Sequence, residues 1–424
     1  MRLFLISIFI FLLIFLGMAS LNGSFIMLAI PLVVYLGFAL LQKPHEQKID
    51  IIRNIQPVRV NQGDFINVTL SAVNEGGLLE EVFLEDDVPD TLNLVEGHSG
   101  YVINIPRDNE IKFSYNLKGT RGIYKFEGVW VTTCDWFGLF PKRHFLKAKD
   151  EIIILPSAPR LKRFTIRPRL TKVYAGNVPS RFGGRGVDFF GVREYTQGDA
   201  LRQINWRVSA RYNEDLFSNV FEQEKAADIW MILDARIRSN IVSRGSSLFE
   251  YLVELTSAVS HSLLRSGNRV GLLIYGGFLD WTYLGSGKRQ REKILYALAG
   301  ARPGESLVFE KLENLPTRIF PPRSQIVLIS PIQSEDFQFL LSTKARGYQV
   351  LCISPDAIEF ERKMLGKTEA GKLGIRLAEI ERKQMLVSLR QSGIQVFNIN
   401  PTQRVEQSLS IVSRFMQSEN RIFE

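Results

Sequence analysis

Between Gly183 and Asp234 the sequence concentrates the residue types best suited to chemistry: arginines, carboxylates, glycines and two tryptophans. A planar guanidinium group binds a carboxylate through two parallel hydrogen bonds, so this composition favours a lattice of arginine–carboxylate pairs. We predict that such a lattice fixes the segment on the apolar strand that follows it. Its members are Arg193, Glu194, Gly198, Asp199, Arg202, Trp206, Arg207 and Arg211.

A second interpretation of this stretch is catalytic, with a hydrolase that uses Asp199, Arg202, Arg207 and Glu224. The sequence shows no nucleophile or tuned proton acceptor beside these residues, and for that reason we favour the structural lattice. A polar, water-accessible cleft joining the four side chains would support the hydrolase. A solvent-excluded and fully paired network would support the lattice.

The local pattern predicts a turn at Gly198 and Asp199 that leads into a short helix, with Asp199 capping the free amide groups at its start. On that helix Arg202 and Trp206 lie four residues apart, where a guanidinium can stack on an indole. The helix would bury one stripe, formed by Leu201, Ile204 and Val208.

Four runs follow one another at characteristic spacing: Phe190-Gly191-Val192-Arg193-Glu194-Tyr195, Gly198-Asp199, Leu201-Arg202-Ile204-Trp206 (with gaps) and Ser209-Ala210-Arg211. This pattern resembles the signature of the domain of unknown function 58 family. The resemblance implies membrane segments, a sandwich-like region and an α/β domain similar to von Willebrand factor type A domains. It implies no settled biochemical activity, but a frequent association with MoxR-type AAA+ ATPases and with cell-envelope functions.

The resemblance also invites comparison with the metal site of type A domains. Those domains hold a divalent cation through Asp-x-Ser-x-Ser after the first strand, with a Thr and an Asp from later loops, because a hard cation needs oxygen ligands. In this sequence the corresponding positions are Asp234, Arg236, Arg238, a position near Ser306, and Pro331 directly after Ser330.

Arginines at both serine positions would repel a cation, so we predict no metal site and no cofactor. There are two hypotheses for Arg236 and Arg238: one or the other pairs with Asp234 and replaces the ion with an internal salt bridge, or they bind an anion or an acidic residue of a partner. We favour the first hypothesis because Asp234 is adjacent and otherwise partly buried. A metal-dependent adhesion module is a further alternative, which a micromolar affinity for Mg²⁺ at Asp234 would support.

Residues 1–43 are predicted to form a transmembrane helical hairpin, because positions 3–42 carry no charge and are broken only at Asn22-Gly23-Ser24. Basic residues flank the hairpin and none lies in its turn, which predicts a two-pass protein of the plasma (inner) membrane with the bulk of the chain cytoplasmic. A cleaved signal peptide followed by one anchor is the alternative. The net charge of +9 fits an anionic membrane surface, and nucleic acid is not an expected partner.

Residues 49–156 show short alternating runs with frequent turns, which predict an all-β, immunoglobulin-like sandwich domain. Within it, the apolar run 135–140 is either a docking loop or, as we favour, a turn packed on its own sandwich. Residues 157–226 combine a basic linker with the signature segment. The linker stretch 160–172 has six basic residues and no acidic residue. This composition supports two interpretations equally: the stretch contacts lipid headgroups, or it forms a face exposed to solvent.

Residues 227–424 alternate strands and helices, which predicts a doubly wound, von Willebrand factor type A-like α/β domain. In such sheets ligands bind at the carboxyl ends of the strands, which places Asp234 and Ser330 at the mouth of any site. The predicted strands are Ile229–Asp234, Arg269–Tyr275, Gln325–Ser330, Gln349–Ser354 and Gln395–Ile399.

Together these features predict a multidomain, membrane-anchored scaffold or adaptor that is not an enzyme. Its α/β domain would present a protein-binding face at the degenerate metal site. By family resemblance, the partner would be a MoxR-type AAA+ ATPase acting in envelope-associated processes. The hydrolase and the adhesion module stay as alternatives.

Overall fold

The computed structural model describes residues 2–41, 49–76, 79–133, 141–159, 183–212, 215–222, 227–243, 245–306, 308–322, 324–365 and 369–422. The chain forms two compact units, Met1–Leu155 and Pro156–Glu424. The linker stretch 160–172, the apolar run 135–140 and Glu224 lie outside the described residues, so what was predicted for them stays a prediction.

The first unit begins with two apolar helices, α1 (Arg2–Ala19) and α2 (Gly23–Leu41). They pack closely at Gly17, where a Cβ atom would lie 2.6 Å from Cγ1 of Ile26. Most of their large apolar side chains are exposed. Among the residues that the structure describes, no helix combines the length and the hydropathy required of a membrane span.

The remainder of the first unit is built from strands β1 (Ile49–Gln56), β2 (Arg59–Asn61), β3 (Ile66–Asn74), β4 (Leu79–Asp86), β5 (Leu92–Glu96), β6 (Gly100–Ile105), β7 (Glu110–Gly119), β8 (Gly122–Thr133) and β9 (Lys142–Leu155). They form one sheet in the order β1-β3-β7-β5 and another in the order β2-β9-β8-β4-β6. Alternate side chains along a strand point to opposite faces, so one face of each sheet can be apolar.

The apolar faces share a core in which Tyr115 of β7 meets Phe126 and Ile152 of the other sheet. Arg53 is a buried polar exception. Its guanidinium donates to both carboxylate oxygens of Asp86, at 2.5 and 3.1 Å, and Asp86 also accepts the hydroxyl of Tyr115. Because Arg53 lies on β1 and Asp86 on β4, this ion pair joins the two sheets.

The second unit contains strands β10 (Gly183–Glu194), β11 (Phe217–Glu222), β12 (Asp228–Ala235), β13 (Val242–Ser243), β14 (Ser246–Ser247), β15 (Arg269–Gly276), β16 (Leu279–Gly285), β17 (Gln325–Ile329), β18 (Gln349–Pro355) and β19 (Gln395–Ile399). Its helices are α3 (Trp206–Ser209), α4 (Leu248–Arg265), α5 (Gly287–Gly300), α6 (Phe337–Ala345), α7 (Ala357–Leu365), α8 (Glu369–Gln391) and α9 (Val405–Ile422).

Six of these strands form one sheet in the order β16-β15-β12-β17-β18-β19. All neighbours run parallel except β16, which pairs antiparallel with β15. The five strands predicted for this region are present, each within one residue of the expected ends. Strand β16 and helix α7 were not predicted.

Strand β12 lies in the interior of this sheet, and all eight of its residues are buried. Met231 packs on one face with residues of α4, α5 and α9, and Trp230 packs on the other with residues of α6 and α8. Because both faces are covered, the strand is apolar throughout and does not alternate. The same burial surrounds its last polar side chain, Asp234.

Candidate functional site

The candidate site lies where β12 and β17 end side by side. From β12 the chain continues to β15 on one side and later to β17 on the other, so the strand order reverses between β12 and β17. Open α/β sheets bind ligands in the crevice at such a reversal, outside the carboxyl ends of the strands. Asp234 and Ser330 flank this crevice, as the sequence predicted.

The guanidinium group of Arg236 fills the position beside Asp234. Its Nε donates to Oδ1 of Asp234 at 2.8 Å and its Nη2 to Oδ2 at 2.6 Å, which is the bidentate geometry that suits this pair. The backbone N–H of Arg236 donates to Oδ1 and the hydroxyl of Ser330 to Oδ2, at 3.0 and 2.6 Å. Asp234 is thus bound on both oxygens, and the expected pairing with Arg236 is present.

A second carboxylate, Asp336, completes the cluster. Nη1 of Arg236 donates to Oδ1 of Asp336 at 3.1 Å, and Nη2 of Arg238 donates to the same oxygen at 2.7 Å. Arg238 also binds Glu335 at 2.8 Å, and it forms no hydrogen bond or ion pair with Asp234. Of the two arginines that could pair with Asp234, Arg236 therefore does so, and Arg238 is held by the acids that precede α6.

Burial and ion pairing shift the pKa values of Asp234 and Arg236 in opposite directions. Asp234 is 1% exposed, and burial alone would raise its pKa, yet the hydrogen bonds and the charge of Arg236 together with the Ser330 hydroxyl hold that pKa below the ordinary value. Burial would likewise lower the pKa of Arg236, but Asp234 and Asp336 raise it instead. Both groups are charged at neutral pH.

Two glycines allow the neighbouring loops to approach the cluster. A Cβ atom on Gly304 would lie 2.8 Å from the Cα of Gly277, so neither position leaves space for a side chain. Gly304 accepts the N–H of Ile237 at 3.1 Å and donates to the carbonyl of Ala235 at 3.0 Å. These bonds fix the chain from which Arg236 extends.

Beside this loop lies a cavity of about 360 Å³, whose lining carries both charged and apolar side chains. Ser306, predicted at the former threonine position, lines this cavity and accepts the N–H of Phe309 at 3.4 Å, but it makes no hydrogen bond to Asp234. The lining is completed by Arg236, Ile237, Arg238, Gly304, Glu305, Phe309 and Glu310.

Sequence reasoning missed Asp336. It placed the later acidic position at Pro331, whereas the acid that reaches the site follows five residues later, at the end of the 3-10 turn Ser334–Asp336. The available signal was the acidic pair Glu335-Asp336 between a strand end and a helix, close to the crevice. Within the described ranges, no group of three or more His, Cys, Asp or Glu residues is arranged to hold a metal ion.

The signature segment contains one of the predicted pairs. Arg193 on β10 donates to Oδ1 of Asp199 at 2.6 Å and to the hydroxyl of Thr196 at 2.7 Å. The hydrogen bond from Arg193, followed by the one from the Thr196 backbone, lowers the pKa of Asp199. Gly198 has a φ of +115°, a conformation that favours glycine, and so permits the tight turn between them.

The rest of the predicted lattice is not formed by the described residues. Arg202, Arg207 and Arg211 are exposed and make no ion pair with a described residue, and Trp206 is 65% exposed without a stacked arginine. The physical reason is that the chain makes only a 3-10 turn, Leu201–Gln203, and the four-residue helix α3, so the four-residue spacing is not realised.

Two local predictions for this segment are also wrong. Asp199 does not cap the turn that follows, because its carboxylate is bound to Arg193 and Thr196; instead Asn205 caps α3 by accepting the N–H of Val208 at 3.1 Å. Of the expected buried stripe, Ile204 is buried, whereas Leu201 is 73% exposed. Among the described residues, Asp199 is paired with Arg193, and neither Arg202 nor Arg207 forms an ion pair with it.

Residues 191–365 match a protein family. The family is described as "Protein of unknown function DUF58". The DUF58 match contains the signature turn as well as the whole cluster of Asp234, Arg236 and Asp336. Apart from Phe190, the motifs that suggested this family from the sequence therefore lie inside the matched region.

A relative with a similar sequence is "Uncharacterized protein YeaD" of Bacillus subtilis (strain 168), which is 24% identical over 252 residues. The similarity covers 58% of this chain and 60% of the relative, so the chain spans less than two thirds of the relative's length.

Two solved structures show partial likeness. Manganese-loaded TRAP protein of Plasmodium vivax is 16% identical, with 34% of this chain and 63% of that one covered and a TM-score of 0.23. The human complex of Zinc 2-glycoprotein and Prolactin inducible protein is 16% identical, with 26% and 99% covered and a TM-score of 0.20. Scores this low support no conclusion about fold or ligand.

Proposed function

We propose that this chain is a membrane-anchored, non-enzymatic protein-binding scaffold whose second unit presents a partner face beside the cluster of Asp234, Arg236 and Asp336. One observation carries the proposal. The crevice in which an α/β sheet ordinarily binds a small ligand is filled by the guanidinium of Arg236, and both adjoining carboxylates are buried and paired. A cluster in that state favours a docking surface over a reactive pocket.

The proposed partner face consists of Ile237, Arg238, Ser306 and Phe309 around the 360 Å³ cavity. The Ile237 side chain is 46% exposed, and the Arg238 side chain is 21% exposed while its guanidinium stays held by acids. An apolar centre with arginine and polar groups at its margin is the usual composition of a protein interface. A fixed arginine also loses little side-chain entropy on binding.

The proposed partner is a MoxR-type AAA+ ATPase acting on envelope-associated proteins, which rests on the family resemblance. The proposed anchor is the pair α1 and α2 in the plasma membrane, with both ends cytoplasmic. Its support is the uncharged sequence of 3–42, the exposed apolar side chains of both helices and the basic residues that flank them.

The proposal is tested by titrating a purified MoxR-type ATPase from the same organism onto the full chain in detergent micelles. The variants Ile237→Ser and Arg238→Ala are each expected to weaken binding about tenfold or more, because one removes the apolar centre of the proposed face and the other the arginine at its margin. Arg376→Ala, an exposed arginine on α8, is the matched control and should bind like the wild type. Absence of binding, or equal loss in the control, would count against the scaffold.

A further inference from the structure

The outer strand β16 (Leu279–Gly285) leaves one side of the six-stranded sheet open. It pairs with β15 on one side, and no described strand pairs with its other side. The pairing is regular from Leu279 to Thr282. Directly after Thr282, β16 contains one extra residue, because Gly285 pairs with Val270 while Thr282 pairs with Leu272. Such an edge presents backbone N–H and C=O groups that can template another strand.

The opposite edge of the sheet is formed by β19, which is shorter than β16 and is covered by a charged side chain. Strand β19 is five residues long, and the guanidinium of Arg390 donates to the carbonyl of Val396 at 3.2 Å. Short edge strands and charged side chains are common devices against unwanted pairing. Strand β16 has seven residues and contains no Pro, Lys or Arg.

The open edge carries exposed aromatic side chains. Trp281 is 42% and Tyr283 is 67% exposed, and their rings lie 6.5 Å apart in an edge-to-face arrangement. Being two residues apart, they share one face of the strand with Leu279, which packs on the side of the sheet that contains Trp230. Helix α5 packs on the other side through Ile294, so it does not cover them.

Charges of opposite sign lie at the two ends of this strand. Asp280 is exposed near its beginning, and Lys288 and Arg289 are exposed just beyond its end, at the start of α5. Asp280 lies on the α5 side of the sheet, because it alternates with Leu279 and Trp281. A two-fold axis reverses the strand direction and would bring the acidic end of one copy towards the basic end of another.

We propose that β16 pairs antiparallel with β16 of a second copy of this chain, about a two-fold axis at Thr282, and so continues the sheet through both subunits. In this register Trp281 of each copy faces Tyr283 of the other copy, which gives two cross-strand aromatic pairs. Such pairs stabilise antiparallel sheets. The charge pattern is complementary in the same orientation. This inference goes beyond the proposed scaffold and does not depend on the ATPase.

The first test measures the mass of the full chain in detergent over a range of concentrations, by sedimentation velocity and without any ATPase. The wild type is expected to form a dimer. Trp281→Lys/Tyr283→Lys should raise the dissociation constant at least about tenfold, because it places like charges opposite each other at the axis. Leu377→Lys, at a 59% exposed position on α8, is the control and should leave dimerisation unchanged.

The second test does not depend on the folding of the lysine variant. Thr282→Cys, in a Cys134→Ser background, should form a disulfide-linked dimer on mild oxidation, because facing residues of an antiparallel pair approach within bonding range. Gln395→Cys on β19 should stay monomeric, and the native Cys352 is buried. The proposal would be overturned if the wild type is monomeric at every concentration, or if the two lysine substitutions leave the dissociation constant unchanged. It would also be overturned if the disulfide forms with cysteine at position 395 and not at position 282.

Discussion

Arg236 neutralises two buried carboxylates at once, Asp234 and Asp336. Its removal would leave the buried Asp234 without its counter-charge and would leave Asp336 paired with Arg238 alone. We expect Arg236→Ala to lower the free energy of unfolding of the second unit by about 3 to 5 kcal/mol, the usual cost of breaking a buried pair by removing one partner. Urea unfolding followed by the fluorescence of the buried Trp230 measures this loss.

The matched control for this experiment is Arg238→Ala. Its guanidinium is partly exposed and one of its partners, Glu335, lies mostly in solvent, so we expect a loss of about 1 kcal/mol. Equal losses in the two variants would show that Arg236 has no special place in the cluster.

The lowered pKa of Asp234 also predicts how stability depends on pH. The ordinary value is about 3.9, so between this value and the lower folded-state pKa the unfolded state binds more protons than the folded one. The contribution of the pair is complete above about pH 5 and is lost as the pH falls through the folded-state pKa.

We therefore expect the free energy of unfolding of the second unit to fall between about pH 5 and pH 3, and to fall less steeply in Asp234→Asn. Parallel denaturant titrations at several pH values measure the two slopes. Identical slopes in wild type and variant would contradict the assigned direction of the Asp234 pKa.

At the scale of elements, the segment 201–209 is a surface connection and not a buried helix. Trp206 is mostly exposed and stacks on no arginine that the structure describes, so we expect Trp206→Ala to change the free energy of unfolding by less than about 0.5 kcal/mol. Ile204 on the same connection is 6% exposed, and Ile204→Ala should cost about 2 kcal/mol or more. Thermal unfolding compares them, and a large loss for Trp206→Ala would restore the predicted lattice.

The elements that could be predicted from the sequence are those whose apolar pattern is long or unbroken. Strand β12 is buried on both faces, so its run from Ile229 to Leu233 is continuous and its end at Asp234 is clear. Strand β16 was missed because it is half exposed and contains Asp280, a residue that is rare in strands. Its assignment depends on pairing with β15, which the sequence alone does not display.

The candidate site could be predicted only in part, for a similar reason. The pair of Asp234 and Arg236 is local, since the residues are two apart at a strand end. Asp336 lies about a hundred residues further along the chain and enters through a 3-10 turn whose position follows from the end of β17. The four-residue spacing of Arg202 and Trp206 suggested contact, but it applies only in a helix longer than α3.

At the scale of the whole molecule, the proposed anchor has a definite topology. If α1 and α2 cross the membrane as a hairpin, the residue Glu424 lies in the cytoplasm. A reporter that works only in the cytoplasm should therefore be active when it is fused after Glu424, and a reporter that works only outside the cytoplasm should be inactive there. A second reporter inserted at Asn22, in the uncharged turn, should show the opposite preference. A cytoplasmic signal from both positions would contradict the hairpin.

A variant with serines in place of Arg236 and Arg238 tests the same site, because it supplies the hydroxyl groups that type A domains use to bind a metal ion. In Arg236→Ser/Arg238→Ser two serines replace the arginines, and the oxygens of Asp234 and Asp336 become available to a hard cation. We expect Mg²⁺ to raise the unfolding temperature of this variant and to leave that of the wild type unchanged, because a ligand that binds only the folded state stabilises it.

Isothermal titration of Mg²⁺ into the wild-type chain, beside Asp234→Ala, tests most directly whether an arginine occupies the position of an ion. Because the guanidinium of Arg236 already binds both oxygens of Asp234, we expect no saturable heat from either protein. A micromolar affinity in the wild type that Asp234→Ala abolishes would contradict it.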